Sequence, residues 1–330
     1  MNRNIKILCT IGPKSINQDV IRNFQKNKVD MFRINMSHTS IKDLKKKIKY
    51  LKKLNVKKIC IDTEGAQIRT ADVKKKIYLK KGQKFIFSNI KYPKTNFQLY
   101  PSFNFNEIKL NTFFKIGFEG LKLQVISKSD KLISAKVIVE GNIDNNKGVH
   151  FDQFINLDSL TLKDHLAIEV GKKLKVNYFA LSFANSLKDV KLFRKLIGKK
   201  SFLISKIETK KAYKNIKEIT RSSNAILIDR GDLSRYYPID AIPIIQKLII
   251  NEAKLLNTEC YIATNLLESM IVNFYPTRAE SNDIFSCLEL GAKGLVLAAE
   301  TAIGEYPKEC VSFVKKCIIR RDNFLKSGKF

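Results

Sequence analysis

The sequence predicts an α/β protein built on a (β/α)8 TIM barrel, with a small antiparallel β-barrel-like lid domain inserted into one of its loops. The first observation is that eight short apolar runs are each followed by a helical pattern, the repeat that a closed parallel barrel requires. The second is one long interruption of that repeat, in which the pattern changes. The third is length: the chain has 330 residues, and removing about 80 for the insertion leaves about 250, the usual size of one barrel.

The eight runs predict the eight strands of the barrel. Each run is rich in β-branched residues, ends in a polar cluster and precedes a stretch with apolar residues at helical spacing. The predicted strands are Ile5–Ile11, Asp30–Asn35, Lys58–Asp62, Tyr178–Ser182, Phe202–Ile207, Ala225–Asp229, Cys260–Thr264 and Gly294–Ala298.

The interruption lies between the third and fourth runs. Within it, three segments alternate or run apolar while glycines punctuate the chain, which is typical of a small antiparallel β domain. We therefore predict that residues 1–70 and 151–330 form the catalytic barrel and that residues 71–150 form the lid. The three predicted lid strands are Lys84–Ile90, Leu121–Ser127 and Leu132–Val139.

Charge is the most unusual feature of the composition. The chain has 61 Lys and Arg against 31 Asp and Glu, a formal net charge of +30. Such an excess raises binding to nucleic acid or to an anionic membrane as a possibility. However, the lysines of segments such as Ile41–Leu54 fall on the outer face of an amphipathic helix, and no aromatic-basic stacking motif occurs. We interpret most of the excess as solvated surface, expect no membrane partner, and keep a nucleic-acid-binding protein as the weakest alternative.

The reactive side chains available to the chain are few. None of the six cysteines forms a C-x-x-C pair, which favours buried free thiols over disulfides or a zinc site. No signal-peptide pattern precedes the first apolar run, and no apolar stretch approaches the roughly 18 residues of a membrane span. These patterns predict a cytoplasmic protein. With only three histidines, the chemistry is expected to depend on Lys, Arg and carboxylates.

The polar clusters that end the eight runs are expected to converge. The active face of such a barrel is formed by the carboxyl ends of its strands. Together, the clusters offer cations for an anionic substrate and carboxylates for a divalent metal. They are 33–38, 62–63, Ser182, 206–208, 230–232, 264–265 and 300–301.

Three residues of these clusters suggest phosphoryl transfer. This chemistry needs a metal held by carboxylates and fixed cations around the phosphate more than it needs covalent catalysis. Glu208 and Asp232 end neighbouring strands and are suited to Mg²⁺, and Lys206 projects beside them. The alternative is a structural salt-bridge network at the mouth of the barrel.

Nine segments with recognisable patterns occur in order over nearly the whole chain: KILCTIGPKS (6–15), FRINMSH (32–38), DTEGAQIRT (62–70), NKGV (146–149), SKIE (205–208), RGDL (230–233), ATNLLESMI (263–271), PTRAE (276–280) and ETAIGEYP (300–307). Together these segments resemble the signatures of the pyruvate kinase family. The resemblance implies transfer of the phosphoryl group of phosphoenolpyruvate to ADP, which gives pyruvate and ATP in the last step of glycolysis. Full-length family members carry a further C-terminal effector domain, which is expected to be absent here, so that any homo-oligomer uses barrel contacts.

The resemblance also implies roles for the residues that react and bind substrate. Lys206 and Arg33 would face the transferring phosphoryl group, and Thr264 would lie near the enolate carbon, in the delivery of a proton through water. The backbone amides of Gly231 and Asp232 would receive the substrate carboxylate.

Further roles concern ions and the nucleotide. Glu208 and Asp232 would hold Mg²⁺ or Mn²⁺, and Glu300 would support the site. The implied monovalent-cation site, for K⁺, consists of Asn35, Ser37, Asp62 and Thr63, and the implied nucleotide-phosphate site consists of Arg69, His38 and Lys147.

Four of the departures from the family pattern leave open whether activity is retained. Gln67 stands where the family has an acid, which removes one negative charge and leaves the K⁺ requirement open. Asn185 replaces an expected Arg, Asp229 an expected Ala, and Ala298 an expected Ser. These departures keep open an alternative function, that of a divergent, catalytically altered paralogue that binds phospho-ligands.

Overall fold

A computed structural model describes residues 5–65, 67–91, 95–117, 120–153 and 155–328. The chain is divided into two units. The first unit combines Met1–Gly65 with Leu162–Phe330, and the second is Ala66–Thr161. Ala66, which lies within one of the family-like segments, falls outside the described residues.

The described residues contain seventeen strands and eleven α-helices, numbered here in chain order. The strands are β1 (Lys6–Thr10), β2 (Met31–Asn35), β3 (Ile59–Asp62), β4 (Arg69–Ala71), β5 (Ile77–Leu79), β6 (Lys84–Ser88), β7 (Phe97–Tyr100), β8 (Phe113–Ile116), β9 (Lys122–Lys128), β10 (Leu132–Val139), β11 (Gly141–Ile143), β12 (Val149–Phe151), β13 (Tyr178–Leu181), β14 (Phe202–Ile207), β15 (Ala225–Asp229), β16 (Glu259–Ala263) and β17 (Gly294–Leu297). The helices are α1 (Gln18–Lys26), α2 (Ile41–Lys53), α3 (Leu162–Lys173), α4 (Leu187–Ile197), α5 (Lys210–Lys214), α6 (Ile216–Arg221), α7 (Arg230–Leu233), α8 (Ile242–Leu255), α9 (Arg278–Leu290), α10 (Ala299–Ala302) and α11 (Pro307–Ser327).

The first unit is a closed parallel barrel. Its strands follow the order β1-β17-β16-β15-β14-β13-β3-β2, and β2 pairs back to β1. Every one of these strands overlaps one of the eight predicted runs, so the predicted fold class is confirmed. Because all eight strands run the same way, their polar carboxyl ends lie at one rim of the barrel.

The core of the barrel and its outer helices follow from the apolar pattern. In α2, Leu44, Ile48 and Leu51 are buried at helical spacing, while most of the lysines between them are exposed, as the sequence predicted. Inside the barrel, Tyr261 is fully buried against neighbouring strands. A Cβ atom at Gly294 would lie 2.6 Å from the Tyr261 ring, so this position requires glycine.

The second unit is a curled β-sheet of seven strands, in the order β12-β8-β9-β10-β6-β7-β4, accompanied by the pair β11-β5. The pairing is antiparallel as predicted, except that β6 and β7 run parallel. The outermost strands are joined by an antiparallel bridge between Arg69 and Gly148, so the sheet closes on itself around a core that includes Phe87 and Phe114. This closure gives the barrel-like form expected from the sequence.

All six cysteines are free, and only Cys317 is not fully buried, as predicted. Within the described residues, no helix combines the length and the apolar character needed to span a membrane.

Candidate active site at the carboxyl ends of the barrel strands

Lys206 lies at the centre of the polar rim of the barrel. It is buried near the end of β14, and its Nζ is 2.8 Å from Glu208 Oε1, 3.4 Å from Asp229 Oδ2 and 3.6 Å from Asp62 Oδ2. Lys206 and Glu208 are two residues apart on one strand and therefore share a face. The predicted cation and the first predicted metal ligand are thus in direct contact.

The carboxylates around Lys206 stabilise its charged form. Burial alone would lower the pKa of the ammonium group, but the negative charges of Asp62, Glu208 and Asp229 outweigh that effect and raise the pKa. Lys206 therefore remains protonated at any working pH, which makes it a fixed cation rather than a general base.

Arg33 provides a second buried cation beside Lys206. Its Nε donates to Asp62 Oδ2 at 2.6 Å, and its Nη1 donates to Thr10 Oγ1 at 2.7 Å. Asp62 is fully buried and also accepts from Ser182 Oγ at 3.3 Å. Because Asp62 contacts both cations, it orients Arg33 and Lys206 toward the same region.

Three carboxylates form a group that could hold a metal ion. Glu208, Asp229 and Asp232 each offer an oxygen, and these oxygens all lie within 4.8 Å of one another. Such hard oxygen donors suit Mg²⁺ or Mn²⁺. Burial raises the pKa of Glu208 to about 8 against the opposing charge of Lys206, and the Phe183 amide donates to Glu208 Oε2 at 2.5 Å. The residues present therefore fit a divalent cation, which would replace the proton on Glu208.

Thr264 faces this group from the end of β16. Its Oγ1 donates to Asp229 Oδ1 at 2.7 Å, and Gly231 lies so close that a Cβ there would be 2.9 Å from Thr264 Cγ2. The backbone φ of Thr264 is +75°, uncommon for a β-branched residue, and Arg230 Nε holds the Thr264 carbonyl at 3.0 Å. Strain of this kind concentrates at functional sites.

Asp232 and Glu300 occupy different environments. Asp232 lies in α7, a helix of four residues that also contains Gly231, and its Oδ1 is 3.3 Å from Arg235 Nε. Glu300 is buried at the start of α10, where burial raises its pKa and its Oε2 accepts from the Ala298 amide at 2.9 Å. Glu300 thus shapes the loop after β17.

The four residues implied as the K⁺ site lie at the ends of the adjacent strands β2 and β3. Asn35 is the register partner of Asp62. The side-chain oxygen of Asn35 accepts from the Ser37 amide at 2.9 Å, and Thr63 Oγ1 accepts from the Ser182 amide at 2.9 Å. The Asn35 oxygen thus already caps the short helix Met36–His38. The Thr63 hydroxyl is bound to the loop after β13, and Asp62 belongs to the Arg33 and Lys206 network.

The three residues implied for nucleotide binding belong to both units. His38 is exposed in the barrel unit, at the end of the short 3-10 helix Met36–His38. Arg69 and Lys147 lie on neighbouring segments of the second unit, where Arg69 Nη1 donates to the Asn146 carbonyl at 3.3 Å. The Lys147 amide donates to Thr70 Oγ1 at 2.9 Å.

Sequence reasoning missed several polar residues that build the site. The carboxylate of Asp164, fully buried in the first turn of α3, accepts from the amides of Glu64 at 2.8 Å and Gly65 at 3.1 Å and so fixes the loop after β3. Thr10 anchors Arg33, and Asp229, which the family pattern marks only as a departure, contacts Thr264 and Lys206. Position at a strand end could have suggested Thr10 and Asp229, whereas nothing local distinguishes Asp164 from an ordinary helix-start acid.

The other departures have local contacts. Asn185 accepts a hydrogen bond from Thr209 Oγ1, and its backbone carbonyl accepts from Asn215 Nδ2 at 2.8 Å, so it braces the loop after β14. Gln67 is buried in the second unit. Ala298 directly precedes α10.

Comparison with known proteins gives one consistent match. The family model described as pyruvate kinase, barrel domain, matches residues 2–311. A pyruvate kinase of Thermotoga maritima is 36% identical over 330 residues, an alignment that covers 95% of this chain and 70% of the relative. One of Methanocaldococcus jannaschii is 36% identical over 96% of this chain and 69% of its own length. One of Agrobacterium vitis is 32% identical, with the same coverage of 96% and 69%.

Proposed function

The chain belongs to the pyruvate kinase family and is a phosphotransferase that makes pyruvate and ATP from phosphoenolpyruvate and ADP; we propose that Lys206, Glu208 and Asp232 carry this reaction. The observation that carries the proposal is the buried contact of 2.8 Å between Lys206 Nζ and Glu208 Oε1, with a carboxylate oxygen of Asp232 within 4.8 Å of Glu208. A fixed cation beside a two-carboxylate metal site is the arrangement that phosphoryl transfer needs.

Glu208 and Asp232 would hold Mg²⁺ or Mn²⁺. When bound, the cation supplies Lewis-acid and electrostatic stabilisation for the substrate carboxylate and the enolate oxygen. The raised pKa of Glu208 supports this role, because a buried acid with an adjacent acid is stabilised in its ionised form by a divalent cation.

Lys206 and Arg33 would neutralise the charge that moves during transfer. The bond between the phosphorus and the enol oxygen of phosphoenolpyruvate breaks, and a terminal oxygen of ADP forms the new bond to phosphorus. Positive charge fixed in a buried site stabilises this charge redistribution without reorganising at the moment of reaction. Asp62 keeps Arg33 in place through the contact of 2.6 Å.

Thr264 would take part in the second half of the reaction. The enolate that leaves the phosphoryl group must gain a proton at carbon to become pyruvate. We assign the Thr264 hydroxyl to the positioning of the water-linked proton donor, since its Oγ1 lies beside the carboxylate group formed by Glu208, Asp229 and Asp232. The backbone amides of Gly231 and Asp232 are proposed to bind the substrate carboxylate.

The remaining ligand assignments extend the proposal to nucleotide and potassium. Arg69, His38 and Lys147 are proposed to bind the phosphates of ADP and ATP. Asn35, Ser37, Asp62 and Thr63 are proposed to bind K⁺, with the requirement for K⁺ left to experiment because Gln67 replaces an acid.

A coupled assay of pyruvate release tests the function directly. The folded protein is expected to release pyruvate from phosphoenolpyruvate when both ADP and Mg²⁺ are present, and omission of either should abolish the release. Running the assay with and without K⁺ measures the contribution of the monovalent cation. Absence of pyruvate with Mg²⁺, Mn²⁺ and K⁺ all supplied would reject the proposal.

One observation favours a second candidate, a divergent paralogue that binds phospho-ligands without this transfer. Asp229 places an additional carboxylate 3.4 Å from Lys206 Nζ, in the position where the family resemblance predicts alanine. Phosphoenolpyruvate that raises the melting temperature while no pyruvate is released would favour this candidate. Pyruvate release at a rate typical of an enzyme would eliminate it.

A further inference from the structure

We propose that Asp229 competes with the carboxylate of phosphoenolpyruvate for the cationic end of the active site and thereby sets the affinity for that substrate. The inference rests on the proposed function, because it takes Lys206, Thr264 and the metal-binding carboxylates as the groups that surround the substrate. It assigns to Asp229 a role in substrate affinity rather than in the chemical step.

The contacts of Asp229 are those that the substrate needs. Its Oδ1 accepts from Thr264 Oγ1 at 2.7 Å, and its Oδ2 lies 3.4 Å from Lys206 Nζ. Asp229 also lies at the proposed metal site, since one of its oxygens is within 4.8 Å of oxygens of Glu208 and Asp232. One side-chain carboxylate therefore contacts Lys206 and Thr264 and lies beside the proposed metal ligands, and the proposed function places all of these around the substrate.

The space around Asp229 is limited. The residue is only 8% exposed, and even a methyl-sized addition at Gly231 would come within 3.5 Å of Asp229 Oδ1 and 2.9 Å of Thr264 Cγ2. A substrate carboxylate that uses the Thr264 hydroxyl and Lys206 would have to take the place of Asp229 at these two groups. In this proposal, phosphoenolpyruvate either displaces the Asp229 side chain or binds beside its negative charge.

The negative charge of Asp229 disfavours binding of phosphoenolpyruvate and favours binding of a divalent cation. Phosphoenolpyruvate is itself an anion with a carboxylate and a phosphate, and like charges at close range in a buried site repel strongly. A divalent cation gains from the same residue, because a third carboxylate adds to the two that would bind it. Removing Asp229 should thus strengthen phosphoenolpyruvate binding and weaken metal binding in the absence of substrate.

The test uses two variants of Asp229 and a matched control. Asp229→Ala removes the carboxylate, and Asp229→Asn keeps its shape and an acceptor for Thr264 but removes the charge. Asp240→Ala makes the same change at an exposed position in the short helix Ile239–Ala241, outside the site. Circular dichroism of each variant checks folding, and Asp229→Asn serves as the test if Asp229→Ala does not fold.

Two binding measurements give the readout without requiring turnover. Calorimetric titration with phosphoenolpyruvate, at saturating Mn²⁺ and without ADP, is expected to show a Kd at least about tenfold lower for Asp229→Ala and Asp229→Asn than for the wild type. Electron paramagnetic resonance of free Mn²⁺ is expected to show weaker metal binding in both variants. Asp240→Ala should match the wild type in both measurements.

The outcomes separate this inference from the proposed function. If the Kd for phosphoenolpyruvate falls in the variants while no protein releases pyruvate, the inference holds and the proposed function fails. If pyruvate is released but the Kd is unchanged or higher in both Asp229 variants, the inference is overturned and the function holds. Failure of the wild type and of every variant to bind phosphoenolpyruvate would overturn both.

Discussion

Asp62→Asn tests whether the buried charges around Asp62 contribute more to the stability of the fold than an exposed ion pair does. Asp62 is fully buried and accepts from Arg33 Nε at 2.6 Å, and its Oδ2 lies 3.6 Å from Lys206 Nζ. The amide of asparagine keeps the size of the side chain but removes the charge and turns one acceptor into a donor that faces two cations. We expect the folded barrel to lose stability as a result.

The magnitude follows from the burial of the pair. The side chains of Arg33 and Asp62 are 6% and 0% exposed. Breaking a buried pair leaves an uncompensated charge and costs about 3 to 5 kcal/mol. For a unit of this size, such a loss corresponds to a fall in Tm of about 6 to 20 °C.

The assay is thermal unfolding followed by circular dichroism, with Asp19→Asn as the control. Asp19 is paired with Lys308 at 2.9 Å, but its side chain is 78% exposed. Removing an exposed pair is worth about 1 kcal/mol at most, so Asp19→Asn should shift Tm only slightly. Equal shifts in Tm for Asp62→Asn and Asp19→Asn would refute the account of the buried network.

Two further predictions concern the reaction and the metal. Lys206→Met should lower the rate of pyruvate release at least about 100-fold, because a fixed charge beside the transferring group is lost. The control Lys217→Met changes an exposed residue on α6 and should leave the rate unchanged. Equal rates for the two variants would exclude a catalytic role for Lys206. The affinity for Mn²⁺ should rise with pH between 6 and 8, as measured by electron paramagnetic resonance, because the pKa of Glu208 is raised to about 8 and the cation must displace that proton. An affinity that stays constant across this range would show that Glu208 is already ionised or does not bind the metal.

The strands of the barrel could be predicted from the sequence because their signal is local. Apolar runs of a few residues, separated by helical patterns, place β14 and β15 at the predicted bounds. The run predicted to end at Thr264 instead ends at Ala263, because Thr264 turns into the left-handed region with φ +75°. Nothing in the local sequence marks a threonine for that conformation, which long-range contacts with Arg230 hold in place.

The lid was harder to predict in detail. Its alternating segments indicated antiparallel pairing, which holds for most neighbours. The parallel pairing of β6 and β7, through Phe87 and Phe97, depends on how the chain returns between them and leaves no mark in the period of either strand. Register and direction in such a sheet are set by side-chain packing across the core.

Some contacts of the candidate site could likewise be predicted from the sequence, and others could not. Lys206 and Glu208 are two residues apart on one strand, so their contact could be inferred from the sequence. The contacts of Asp229 with Thr264 and of Asp164 with the loop after β3 join residues 35 and about 100 positions apart, and only the closed barrel brings them together. The homo-oligomer, the cytoplasmic location and the K⁺ site stay predictions.

The central claim is that Lys206, Glu208 and Asp232 surround a single divalent cation. An anomalous difference map from a crystal of the full chain grown with Mn²⁺ tests it most directly. The account predicts one strong peak within coordination distance of carboxylate oxygens of Glu208 and Asp232, adjacent to the ammonium group of Lys206. A peak coordinated by other residues, or no peak in a crystal saturated with Mn²⁺, would contradict it.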